Sequence, residues 1–306
     1  MAQSWIIGVG IIAVVLGVAY GVRNQVAGYT SPTGSSRPKI WWVLDDSQLN
    51  SRQWLDWGAR TTHEPNEPYL KIGYRRAKAM AGDFDIQAVI GRVDAHHVLE
   101  TAGCVIPPDA DRAPPAIWLA WCRAAFLTHC GGLWLDGSVL PTGTNAQLNQ
   151  HLAGKDVLAF GVDPDEDLES SSMAGPSAGW SAQPHHPAWA GLERDLRATI
   201  NAGDQSWSAA ECRKTARYAW DRHAAGIIPI DRKAEASRDA YGRRLELDTL
   251  LTESEWVSGT TKGSLWLPLP DGRDKLERAT PFLWFLRMSE QQIFEGNFFW
   301  SKVARS

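Results

Sequence analysis

The sequence predicts an α/β protein: a mixed sheet flanked by helices, preceded by one N-terminal transmembrane helix. Three observations carry that expectation. Short continuous apolar runs alternate with helix-period segments, the pattern of buried strands separated by helices rather than of a β-sandwich. Residues 119–140, LAWCRAAFLTHCGGLWLDGSVL, pass from an apolar helix through a Gly-Gly stop into a strand that ends on Asp136. Trp5 to Val22, WIIGVGIIAVVLGVAYGV, contains no charged side chain.

The N-terminal run comes first in the chain. Residues 5–22 as a helix span about 27 Å, close to the roughly 30 Å hydrocarbon core of a bilayer. Trp5 and Tyr20 stand near its ends, where amphipathic rings favour the interface. A cleaved signal peptide would carry a basic n-region, which the opening MAQS lacks, so the reading is a retained single-pass anchor. Arg23, Arg37 and Lys39 follow the span and no Lys or Arg precedes it, which orients the large domain toward the cytoplasm. Ala13, Gly17 and Gly21 repeat a small residue every fourth position, a spacing that would let two such helices pair as a homodimer. Residues 23–38, rich in Gly, Ser, Thr and Pro and without apolar period, read as a flexible linker. The folded domain is expected over 39–306.

Within that domain, Lys39–Leu44 (KIWWVL) is a buried-strand candidate that ends on Asp45-Asp46. Helical patterns follow over 51–60, with Trp54 and Trp57 on one side, and over 69–81. Asp85–Ile90 reads as a second strand. A Pro-marked loop leads to a central helix from about Ala116 to Cys130, opened by Pro114-Pro115 and closed by Gly131-Gly132. Leu133–Leu135 forms the strand before Asp136, and Val157–Val162 a further buried strand. The acidic run 163–169 and the SSSMAGPSAG stretch of 170–179 read as an exposed loop. Toward the C-terminus come a charged helix over 209–225, an apolar run over 226–230 and an aromatic tail over 281–303.

Composition bounds the function. With 306 residues, 44% apolar and 22% charged, the chain is an ordinary globular protein in bulk. A formal charge of −4 argues against a nucleic-acid partner, which would be met by a basic face. Sixteen tryptophans are unusual; they serve either as sugar-stacking platforms or as core fillers, and their spread along the whole chain favours the core. Cys104, Cys122, Cys130 and Cys212 show neither CxxC nor zinc-type spacing and read as reduced, buried thiols.

Asp136 is the residue on which chemistry turns. A carboxylate at a strand end can hold a divalent ion that neutralises the diphosphate of a nucleotide-sugar. The alternative for a lone acid there is a turn residue or helix cap. Arg123–Thr142, RAAFLTHCGGLWLDGSVLPT, resembles the signature of the capsular polysaccharide synthesis glycosyltransferases, relatives of the enzymes with a sugar-binding DXD region and the GT-A fold. Arg123 matches the family's Arg, Gly131-Gly132 its glycine pair, Trp134 its aromatic, Asp136 its acid and Ser138 its hydroxyl residue. Pro38-Lys39-Ile40-Trp41-Trp42 resembles the family's opening strand, which lies next to the nucleotide, and Pro184-His185-His186-Pro187 resembles a later His-Pro turn. The resemblance spans roughly residues 38–162.

It implies transfer of a sugar from a nucleotide-sugar donor to a glycan or lipid-linked acceptor, a hexosyltransferase-type step in polysaccharide biosynthesis. Asp136 and His186 would coordinate Mn²⁺ or Mg²⁺. Arg123 would act with Asp136, pairing with a phosphate or orienting that acid. Trp42, Asp45, Gly131, Gly132 and Ser138 would line the nucleotide-sugar. Two departures stand against it: Ala120 occupies the position of an expected Asp, and Ser138 that of the second acid. They leave, as the alternative, a catalytically inactive membrane-anchored protein that uses the same fold for structure or assembly.

Overall fold

The structure, a computed structural model, describes residues 37–45, 68–161, 177–202, 209–224, 227–231, 245–253, 264–269, 276 and 280–305. The anchor expected over 5–22, Asp46, the helix expected over 51–60 and the acidic run 163–169 lie outside the described residues. Among the described residues no helix is long and apolar enough to cross a membrane.

A six-stranded mixed sheet organises the domain. Its strands are β1 (Lys39–Leu44), β2 (Asp85–Ile90), β3 (Gly132–Asp136), β5 (Val157–Phe160), β6 (Ala178–Ser181) and β7 (Ile230–Asp231), in the spatial order β2-β1-β3-β6-β5-β7. Neighbours are parallel except β6, which runs antiparallel to both β3 and β5. A separate ribbon pairs β4 (Leu140–Pro141) with β8 (Trp266–Leu267).

The helices cover both faces, which is why the strands read as unbroken apolar runs rather than alternating ones. Successive side chains of β1 point to opposite faces. Ile40, Trp42 and Leu44 join one core cluster with helix α1 (Pro68–Ala81), α4 (Asn145–Leu152) and the C-terminal helices α7 (Leu247–Thr252), α8 (Leu283–Arg287), α9 (Glu290–Glu295) and α10 (Phe299–Arg305). Trp41 and Val43 join the other, built with α2 (Arg92–Thr101), α3 (Pro115–His129), α5 (Pro187–Asn201) and α6 (Ala209–Ala224). Helix α3 is apolar on nearly every side and is buried along most of its length, with Pro115 at its first turn. Among the described tryptophans only Trp284 is exposed, so these rings fill the core rather than line a surface.

One expectation is corrected. Residues 177–179, read as part of an exposed loop, are buried: Ser177 leads into β6, a central strand of the sheet. Its small residues mimic loop composition because bulk is excluded there. A Cβ on Gly179 would lie 2.7 Å from Leu127 and 3.1 Å from the Trp189 ring.

Candidate functional site

The parallel register sets Val43 opposite Asp136, so β1 and β3 end together, with Asp45 and Asp136 at one edge of the sheet. Strand β6 begins at the same edge, with Ala178 opposite Leu135. Open α/β sheets bind ligands at this carboxyl edge.

The turn after β3 is tightly held. The Asp136 N–H donates to the Ser177 carbonyl at 3.0 Å and the Gly137 N–H to the Val43 carbonyl at 2.8 Å. A Cβ on Gly137 would come within 2.4 Å of the Leu44 side chain, so glycine is required for this approach. Ser138 donates to Asp136 Oδ1 twice, from its N–H at 2.8 Å and its Oγ at 2.6 Å. That fixes the carboxylate and leaves Oδ2 without a hydrogen bond to any described residue. The side chain is half-buried.

Arg123 lies on α3, near enough to Asp136 for their charges to interact. It is only 5% exposed, and its Nε is buried without a hydrogen-bond partner. Burial pulls its pKa down to about 10, and the nearby Asp136 charge opposes that fall. The site therefore sets a buried cation, its Nε without a hydrogen-bond partner, beside a half-buried carboxylate.

The other expected residues take different positions. Asp45 is buried and forms a two-pronged ion pair with Arg92, whose Nε and Nη2 approach its oxygens at 3.4 and 3.3 Å. Arg92 also donates from Nη1 to the carbonyls of Ala110, Asp111 and Ala113, and its guanidinium lies over Trp118. Trp42 is 3% exposed and packs against Tyr74 in the core. Gly131 and Gly132 lie at the start of β3, the opposite end from Asp136. Both have positive φ, of 65° and 87°. A Cβ on Gly132 would meet the Lys39 carbonyl oxygen at 2.5 Å, and the Gly131 carbonyl accepts from Trp41 Nε1 at 2.7 Å. The pair brings β3 against β1; backbone crowding, not ligand approach, demands glycine here.

His186 corrects the expected metal shell. Because β6 is antiparallel to β3, with Ser181 opposite Gly132, the turn that follows it lies at that same starting end. The His185 N–H donates to the Thr128 carbonyl, and His186 Nδ1 accepts from the Ala188 N–H at 3.3 Å as the N-cap of α5. Four residue steps of about 3.3 Å, roughly 13 Å, separate the two ends of β3. Asp136 and His186 do not share an ion.

Side chains with metal-binding character gather elsewhere. Cys104, His129 and Glu193 bring their ligand atoms within 4.8 Å of one another. Their separation along the chain hid them from any spacing motif.

No family model matches the chain, and neither a curated protein nor a solved structure matches it.

Proposed function

We propose that the protein is a membrane-anchored, GT-A-like glycosyltransferase that moves a sugar from a nucleotide-sugar to a glycan or lipid-linked acceptor. The observation that carries this reading is Asp136, with Oδ1 fixed by Ser138 and Oδ2 free of hydrogen bonds from the described residues, beside the buried guanidinium of Arg123, whose Nε has no hydrogen-bond partner. A buried cation is costly unless negative charge surrounds it; Asp136 offsets part of that cost, and a donor diphosphate would add more. The oxygen donors of Asp136 suit a hard divalent ion, Mn²⁺ or Mg²⁺, which would neutralise the diphosphate leaving group. Asp136 provides one carboxylate oxygen, with the remaining coordination falling to phosphate oxygens and water. Arg123 holds positive charge where the leaving group gains negative charge. The apolar span 5–22 keeps the domain beside a lipid-linked acceptor.

A second reading is an inactive assembly protein. It is favoured by Ala120, buried in the core at 4% exposure where the resembled pattern has an acid. One comparison separates the two: hydrolysis of UDP-, GDP- and CMP-sugars with Mn²⁺ by wild type and Asp136→Ala. The enzyme reading expects turnover with at least one donor and its loss by about 100-fold or more in the variant. No hydrolysis of any donor, together with no nucleotide binding by calorimetry, would leave only the assembly reading.

A further inference from the structure

We propose that Cys104, His129 and Glu193 form a zinc site that clamps the exit of α2, the end of α3 and the start of α5. The three ligands arrive from three different elements. Cys104 follows α2, His129 is the last residue of α3, and Glu193 lies on the second turn of α5. Thiolate, imidazole and carboxylate together are the donor set of a borderline-soft ion, with water in the fourth position.

Hydrogen bonds from neighbouring side chains hold two of the three groups, Glu193 and Cys104. Glu193 Oε1 accepts three hydrogen bonds, from Trp121 Nε1 at 3.1 Å and from Arg197 Nε and Nη2 at 2.8 and 2.6 Å. Oε2 takes none from the described residues and is the oxygen left for an ion. His129 Nδ1 is buried with no hydrogen-bond partner, and its ring meets His185 edge-on. Arg197 Nη2 also lies 3.4 Å from Cys104 Sγ. Hydrogen bonds to a ligating group from outside the metal shell fix its orientation.

Charge and geometry are both consistent. Binding releases the Cys104 thiol proton to solvent, and the thiolate and Glu193 then neutralise Zn²⁺, leaving Arg197 as the surplus positive charge. A tetrahedral shell with ordinary zinc bond lengths separates ligand atoms by about 3.5 Å. The cluster, now within 4.8 Å, closes by roughly 1 Å on binding, a side-chain adjustment.

The test uses the full chain, stripped with chelator, with zinc or cobalt as the only probe. Zn²⁺ is expected to bind at one equivalent per chain, and Co²⁺ to give a thiolate charge-transfer band in the near ultraviolet. Cys104→Ala should lose that band and weaken zinc by at least about 10-fold, as should His129→Gln. Asp136→Ala should bind zinc as wild type does, which separates this site from the one proposed for catalysis. If wild type shows no stoichiometric zinc, or no thiolate band with cobalt, the proposal is wrong whatever the variants do. Zinc affinity unchanged in a folded Cys104→Ala protein would overturn it equally.

Discussion

Replacing Arg123 with methionine is expected to stabilise the protein while removing the charge its site offers an anion. Arg123 is buried, its Nε has no partner, and burial takes its pKa down to about 10. Each pKa unit is worth about 1.4 kcal/mol, so the charged side chain costs the fold about 3 kcal/mol at neutral pH. The folded value lies below the unfolded one, so the cost is present in full below about pH 10 and is relieved only as pH rises through that value. Methionine keeps the length and most of the volume, and apolar replacements of buried ionic groups commonly gain about 1–4 kcal/mol. Urea denaturation at pH 7 should therefore show Arg123→Met more stable than wild type by about 1–3 kcal/mol, with an unchanged slope. Calorimetric titration with pyrophosphate and Mn²⁺ should show weakened binding. A loss of stability greater than about 1 kcal/mol would mean that Arg123 is held by compensating partners, and the argument for an anion site would fail.

Two other predictions follow from local geometry. Gly132→Ala should destabilise the domain by at least about 2 kcal/mol, because it combines a φ of 87° with a Cβ 2.5 Å from the Lys39 carbonyl; thermal unfolding reads this directly. Burial lowers the pKa of both His96 and His129, so the unfolded chain binds more protons than the folded one in mild acid. Stability contributed by these residues is complete above about pH 6.5 and is lost as pH falls through their lower folded values. A His96→Gln/His129→Gln variant, measured with chelator present, should flatten the stability slope between about pH 6.5 and 5.

Apolar pattern alone marked the strands at Lys39–Leu44 and Asp85–Ile90, since both are covered by helices on each face or flanked by clear turn residues. The Gly-Gly stop likewise marked the junction of α3 and β3, because a left-handed backbone there leaves few alternatives. Strand β6 was hidden for the opposite reason: Ala178 and Gly179 are small because Leu127 and Trp189 crowd them, and small residues also make loops. Helix α2 carried only a weak apolar period, and its opening Arg92 is explained by a distant partner, Asp45.

At the site, local sequence determined that Asp136 would be delivered to the carboxyl edge and that Ser138 would lie within reach of it. These are facts of strand direction and a two-residue turn. Tertiary structure decided everything that depends on which element lies beside which. It buries Arg123 near Asp136 with its Nε unbonded, engages Asp45 with Arg92, and carries His186 to the far end of β3 because β6 runs antiparallel. It also gathers Cys104, His129 and Glu193 into one cluster. Sequence encodes periodicity and turns over a few residues, whereas these contacts depend on helix packing and strand order across the whole domain.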